Sequence, residues 1–586
     1  MRFEALRRLD RRLHADGAKS PGGTEFAGIH RRAALTAALV AGLVSLSVAL
    51  RQYGPTVHPD EWGFLLNGRV IMGHTEAQIP TGSFYPAGFG LVTGPLTEIT
   101  GSLAGGYRAT LVVNFLLCVL VGITARLVGR RVFGMGENAA TVAGALAFVV
   151  PGTIVTSLFA WPETAARLAF LVFVLWFHRV ATHRRGGPML TFGFFVGLMP
   201  GLHGRFTLVL PVVCCVFLLW GLRRETGRVL AVGACAATTV GYACSYLLNR
   251  FVKNSLYGAS YDQENRLLRR LVDPSLWPAL VRTMTGQSWY LVATTGGLVA
   301  VAVVWMVVRV RAGGGLRTVR TDPARLSCLV IVVTTVLLVF TGGLQLLFGN
   351  RGDHLIYGRY VEILVPVILV AGCAALESSR LLALRAWFSG AIGTLAVALL
   401  YVLVDMGDGV KGGWSRNDIV FPNIVGTDAV RYLVRPGLVT FGAAFALAGL
   451  LLWWAYRRHG AWAPVLMVVL LAAGSSWSAQ RSILTRTDDL EATGVSIEYV
   501  KAAGGTLIGF DEGVRNDRSY YYLRYRLHPV SLVRFDISSP GAVIPAAYSC
   551  LYGFPNKPPQ GGEWRIVADE IPLRRVLWQR VGTDRC

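Results

Sequence analysis

The sequence predicts a mainly α-helical, polytopic transmembrane bundle followed by a small α/β domain, and three observations predict that class. Hydrophobic residues make up 53% of the chain and charged residues only 16%, with a mean hydropathy of +0.49; ordinary soluble domains are about 45–50% apolar. Apolar runs of about 18–22 residues recur along the chain, each long enough to cross a ~30 Å hydrocarbon layer as helix. Arginine is concentrated in alternate short connections, the pattern of cytoplasmic loops.

Residues 1–32 form a basic N-terminus that includes Arg7, Arg8, Arg11, Arg12, Arg31 and Arg32. No small-residue cleavage site follows Leu50, so the first apolar run reads as an uncleaved anchor with the N-terminus inside. Residues 33–479 then hold about thirteen predicted spans. They lie near 33–50, 104–127, 139–160, 164–180, 189–203, 206–222, 229–248, 289–308, 327–348, 361–376, 387–405, 437–456 and 462–479. The stretch 189–203 is the weakest, because it runs into a proline and two glycines. Segments assigned to the cytoplasm carry a net charge of +18 out of the chain's +23. The basic character therefore records topology and gives no support to nucleic acid as a partner, whose binders gather charge on one soluble face.

An odd number of crossings puts the C-terminus outside. Residues 480–586 read as an extracytoplasmic α/β domain, with helices at 495–503 and 519–525 and strands at 506–510, 530–535, 564–568 and 575–580. Cys550 and Cys586 are the two cysteines of that tail, and an oxidising exterior lets them pair. Residues 51–103 form a long outer loop rich in Gly and Pro, and outer loops at 249–288 and 406–436 have room for short helices.

The polar residues suited to chemistry all fall on the outer side of this topology. His58-Pro59-Asp60-Glu61-Trp62 opens the first outer loop. Adjacent carboxylates on a helix point ~100° apart, which suits separate roles better than one acid–base pair. Acids after a proline are also an ordinary helix start, favoured by the macrodipole. Gly82 to Gly90 reads as turn chemistry and aromatic anchoring. Glu163 follows the third span with Arg167 four residues on, either a structural i,i+4 pair or a carboxylate kept at the boundary for use. His203 and Arg205 stand at the junction of the fifth and sixth spans, where an arginine can snorkel or hold an anion. The densest cluster is Arg351 to Tyr360, with Asp353, His354, Tyr357 and Arg359, followed by Glu362. It is too ionic for a simple turn, and the Arg fork matches phosphate oxygens.

An Asp-Glu pair beyond the first span, a Tyr85-Pro86-Ala87-Gly88-Phe89-Gly90 stretch, an acid after the third span and an Arg-Tyr-rich late outer loop resemble the GT-C superfamily. Within it the layout is similar to actinobacterial polyprenyl-phosphate-sugar-dependent mannosyl- and arabinofuranosyltransferases, over roughly residues 33–376. The resemblance implies a GT-C-like bundle in a bacterial plasma membrane. It also implies transfer of a sugar from a polyprenyl phosphate to an acceptor hydroxyl of a glycan, lipid or peptide, usually with inversion. Asp60 takes the base role by its place in the motif, and Glu61 or Glu163 orients the acceptor. Arg359, Arg351, Arg205 and His203, with His354 and Tyr357, are the donor-phosphate residues. Some arabinofuranosyltransferases of this kind carry Asp-Asp where this chain has Asp60-Glu61, which favours mannose. The sequence shows no metal cage and no nucleotide-sugar motif, so no cofactor is expected beyond the donor lipid.

Three other readings compete, the third being a non-catalytic scaffold whose tail binds partners. A secondary transporter would show matching halves and midplane polar residues, whereas charge here sits at span ends. A polymerase or ligase of lipid-linked glycans would share the outer Arg and His residues, but the early Asp-Glu pair favours the GT-C layout.

Overall fold

The structure, a computed structural model, describes residues 24–56, 60–74, 84–256, 263–312, 316–347, 352–404, 421–491, 494–511, 518–537, 539, 541–570, 575–583 and 586. His58, Pro59, Gly82, Ser83 and Arg351 lie outside them. The helices are α1 (Gly28–Arg51), α2 (Asp60–Ile71), α3 (Gly90–Thr100), α4 (Leu103–Arg131), α5 (Glu137–Val149), α6 (Glu163–His183), α7 (Gly186–Leu202), α8 (Val209–Leu222) and α9 (Arg228–Leu256). They continue with α10 (Trp277–Thr294), α11 (Leu298–Arg311), α12 (Pro323–Gln345), α13 (Val365–Ser378), α14 (Arg380–Val404), α15 (Leu438–His459) and α16 (Trp462–Ser478). Among the described residues ten helical segments are long and apolar enough to cross a membrane, or up to twelve if each of two bent pairs is one span. Each falls where the hydropathy pattern put a span, and the weak stretch at 189–203 is the short apolar helix α7.

The bends have local causes. α5 turns by 56° into the helical segment ending at Leu158, and Pro151 sits at that break. Pro lacks the N–H that would continue the ladder. The predicted straight span at 289–308 is two helices, α10 and α11, meeting at 108°. Gly296 and Gly297 between them have φ of +54° and +90°, backbone that glycine adopts without a Cβ clash.

α7 is seated by small residues. Gly193 and Gly197 face Ala234, Thr238 and Gly241 of α9, and a Cβ on Gly197 would lie 2.2 Å from the Thr238 carbonyl oxygen. Such small-residue seams let backbones approach where lipid leaves no hydrophobic drive between helices. Pro200 lies within the last turn of the helix, and His203 and Arg205 follow directly on its end.

The last apolar helix does not end near 479. It runs on through a π-helical turn, Ala479–Leu484, and a helix to Glu491. The soluble unit then begins with α17 (Gly494–Ala502), β1 (Leu507–Asp511), α18 (Arg518–Leu527), β2 (Ser531–Phe535), β3 (Cys550–Gly553), β4 (Trp564–Glu570) and β5 (Arg575–Arg580). The sheet order is β2-β1-β3-β5-β4, with the first three strands parallel and the rest antiparallel. Strand β3 has no counterpart in the sequence reading. Its four residues are all buried, so they lack the alternation that marks a strand with a wet face. Cys550 and Cys586 form a disulfide, with Cα atoms 5.0 Å apart.

Candidate active site

Helix alternation brings the segments after α1, α5, α7 and α12 to the end of the bundle that also carries the sheet domain. Asp60 and Glu61 open α2, where acids meet the helix dipole. Their divergent directions are realised. Asp60 accepts a hydrogen bond from the Tyr85 hydroxyl on Oδ1 at 2.7 Å and is ion-paired through Oδ2 with Arg359. Its side chain remains 24% exposed.

Glu61 points the other way and has no exposed surface. Its Oε1 accepts from the Tyr107 hydroxyl at 2.9 Å and the Ala160 N–H at 2.8 Å, and its Oε2 from the Thr56 N–H at 2.8 Å. Expected among the catalytic acids, Glu61 makes these three hydrogen bonds with protein groups. It ties the end of α1, the start of α4 and the loop before Glu163 together.

That loop, residues 156–162, is buried throughout, and its backbone is answered by side chains. Gln52 donates to the Leu158 carbonyl, while Asn114 donates to those of Phe159 and Trp161. The expected i,i+4 pair of Glu163 and Arg167 is replaced by two longer links. Arg167 donates to the Thr156 hydroxyl at 2.7 Å and to Glu362 at 3.1 Å, and Glu163 pairs through Oε1 with Arg359. Both residues are fully enclosed, so each ionic group takes the partner that also satisfies its geometry. Glu362 accepts from the Tyr290 hydroxyl, which itself accepts from the Gly426 N–H at 2.8 Å.

Arg359 is therefore the hub. Its guanidinium joins Asp60 and Glu163 and lies 3.9 Å from the centre of the Trp161 ring. Gly358 permits this placement, since a Cβ there would fall 2.0 Å from the Tyr290 ring. Arg205 stacks on Tyr360 at 3.2 Å and donates to the Tyr360 carbonyl and to Gln345 at 3.3 and 3.1 Å. It lies within electrostatic reach of Tyr357, Arg359 and Glu163. His203 stands beside Arg205 in the connection between two apolar helices.

Tyr357 packs its ring 4.3 Å from that of Tyr360 and 6.1 Å from that of His354. Asp353, beside them, accepts from Asn423 at 2.6 Å. The structure thus assembles Asp60, Glu163, Arg205, His203, Tyr357 and Arg359 at one end of the bundle. His354 is one ring further out, and Arg351 lies outside the described residues. Among the described residues, Glu163 Oε2, Arg205 Nε and His203 Nδ1 are buried polar atoms with no protein hydrogen-bond partner. Buried polar groups left unpaired cost about 1–3 kcal/mol each, so each of these atoms has capacity for a hydrogen bond from outside the protein. Among the described residues no group of three His, Cys, Asp or Glu side chains is placed to hold a metal ion.

Sequence reasoning missed Tyr85. The stretch read as a turn and interface anchor is a packed seam: Asn67 donates to the Tyr85 carbonyl at 2.8 Å, and Asn249 accepts from the Ala87 N–H at 2.8 Å. Gly63 leaves room for the Tyr85 ring, which a Cβ would meet at 2.2 Å. The signal was the tyrosine between Phe84 and Pro86, a polar-tipped ring in a rigid setting. The sheet domain also contributes. Tyr525 of α18 packs edge-on against Trp62 at 5.1 Å and against Tyr107 at 6.3 Å, and Arg524 lies 5.3 Å from the Trp62 ring.

No protein-family model matches the chain, and no curated protein is similar to it by sequence. Solved structures are similar to it in shape. The apo structure of ArnT from Cupriavidus metallidurans covers 94% of this chain and 98% of its own, at 17% identity and a TM-score of 0.50. The structure of the same protein bound to undecaprenyl phosphate gives the same coverage and TM-score at 16% identity.

Proposed function

Starting from the GT-C fold that the bundle and its sheet domain adopt, we propose that this chain is an integral-membrane glycosyltransferase using a polyprenyl-phosphate-linked sugar. The observation that carries the proposal is the direct contact of Asp60, the more exposed carboxylate of the site, with Arg359. A carboxylate able to take a proton and a cation able to hold a phosphate then belong to one site, between whose opposite sides an anomeric carbon can sit. The acceptor hydroxyl gives its proton to Asp60 as its oxygen bonds to the anomeric carbon. The anomeric C–O bond to phosphate breaks, and its electron pair leaves with the phosphate. Arg359 and Arg205 meet that charge through charge-assisted hydrogen bonds, about twice as strong as neutral ones. Attack opposite the leaving group inverts the anomeric centre.

Arg359 is shared between two acids, so a donor phosphate drawing on its charge loosens the hold on Asp60. Donor binding would therefore ready the base. Glu163, with one oxygen free of protein partners, orients the acceptor. Support for a lipid phosphate comes from the shared fold with ArnT, one of whose structures holds undecaprenyl phosphate. The site faces the outside of a bacterial plasma membrane in this reading, because +18 of the net charge falls at the opposite end. Mannose is favoured over arabinofuranose on the Asp60-Glu61 pair alone, and the acceptor is a glycan, lipid or peptide hydroxyl.

Purified protein incubated with a panel of polyprenyl-phosphate sugars and candidate acceptors, read by mass spectrometry, tests the proposal. Sugar transfer from a lipid-phosphate donor, with nucleotide sugars untouched, is the expected result. Transfer from nucleotide sugars alone would overturn it.

A further inference from the structure

At the other end of the bundle, between the end of α4 and the second half of α6, lies a cavity of about 740 Å³. It has two zones. Val172, Leu175 and Trp176 line it toward the middle of α6, and Arg131, Arg179 and His183 line its rim at the helix ends. Val172 to His183 is eleven residues of helix, so the apolar and basic ends are about 16 Å apart. The basic rim is not explained by the sign of charge this end should carry. Helix dipoles and topology both favour arginine here, but neither makes arginines from two helices converge on one cavity with an apolar wall.

The neighbouring acids leave the rim uncompensated. Glu137 is held by Arg126 and Arg130, Glu225 by Arg184 and Arg320, and Asp322 by Arg325. Among the described residues neither Arg131 nor Arg179 has a carboxylate partner, and both are exposed. His178 on the wall is bonded to Ser327 at 3.3 Å and so is fixed in place. Two unneutralised guanidinium groups above an apolar floor match a phosphodiester with a hydrocarbon chain attached.

We propose that this cavity is a binding site for an anionic phospholipid, with the phosphate on Arg131 and Arg179 and an acyl chain against Val172, Leu175 and Trp176. The site is separate from the glycosyltransferase centre, and the proposal does not depend on that reading. A surface arginine contributes about fivefold to the binding of an anionic lipid, so the pair gives roughly 25-fold. The test is native mass spectrometry of delipidated protein in detergent, offered equal amounts of dioleoyl phosphatidylglycerol and phosphatidylcholine.

Phosphatidylglycerol should be retained about 25-fold more. Arg131→Gln with Arg179→Gln should abolish the preference, whereas Arg457→Gln with Arg458→Gln, at the same end but outside the cavity, should keep it. Leu175→Trp, which fills the floor and leaves both arginines, should lower phosphatidylglycerol occupancy and gives a second readout should the double variant fold poorly. Inorganic phosphate at millimolar concentration should not displace the lipid. Equal retention of the two lipids, loss of preference in the Arg457/Arg458 variant, or full displacement by phosphate would each overturn the proposal.

Discussion

Replacing Asp60 by Asn removes a proton acceptor while keeping the shape, and the structure allows the two consequences to be separated. Tyr85 still finds an oxygen on Oδ1, and Arg359 still holds Glu163. Among the described contacts, what is lost is one charge-assisted hydrogen bond from a side chain that is 24% exposed. Such a bond is worth about 1.5–3 kcal/mol when buried, so with solvent screening about 1–2 kcal/mol of stability should go. The thermal midpoint should fall by only a few degrees, since each kcal/mol shifts it by roughly 2–4 °C in chains of 150–250 residues and by less in longer ones. Turnover should respond differently. Loss of a general base costs about 10²–10⁴ in rate, equivalent to roughly 2.7–5.5 kcal/mol of barrier. The assay is turnover at saturating donor and acceptor, with thermal unfolding measured on the same preparation. Asp60→Asn retaining more than about a tenth of wild-type turnover would refute the assignment of the base.

Arg359→Ala should behave in the opposite sense, because it strands the enclosed Glu163 carboxylate; breaking a buried pair costs about 3–5 kcal/mol, and donor affinity should fall with it. Arg359→Lys should recover only part of either, as a single ammonium cannot fork between two acids; full recovery would show that only the charge matters. Non-reducing peptide mapping should find Cys550 joined to Cys586, and Cys550→Ser should destabilise the sheet domain by about 2–4 kcal/mol; two free thiols would contradict the pairing. A cysteine at the exposed Lys557 should be labelled from outside intact cells and one at Arg185 only after permeabilisation, and the reverse pattern would invert the topology.

Most of the bundle was legible because a membrane span declares itself over about twenty residues, and lipid admits little else. Where the sequence misled, the deciding factor was short or distant. The 108° break at Gly296 and Gly297 depends on two residues inside a stretch long and apolar enough to read as one span. The π-helical turn at 479–484 carries the last apolar helix past the point where its polarity changes. The site shows the same division. Asp60, Glu163, Arg205 and Arg359 stood out as ionic groups at span ends, which lipid makes costly. Their partners did not, because Glu163 and Arg359 are 196 residues apart and Arg167 and Glu362 are 195. A local i,i+4 rule saw only the nearest opposite charge. Glu61 reads as able to orient the acceptor, and nothing local in the sequence shows the hydrogen bonds it accepts from Thr56, Tyr107 and Ala160.

The contact of Tyr525 with Trp62 and Tyr107 joins the earliest loop of the chain to its soluble domain. About 460 residues separate Trp62 from Tyr525. At a synthesis rate of about 5–20 residues per second, roughly half a minute to a minute and a half passes between them. For that interval the helix bearing Asp60 has left the ribosome without its aromatic cover. The disulfide at Cys550 and Cys586 joins positions further along still. Packing at this end is therefore timed by the sheet domain: the bundle can be fully inserted while the helix that carries Asp60 is still waiting for its aromatic cover.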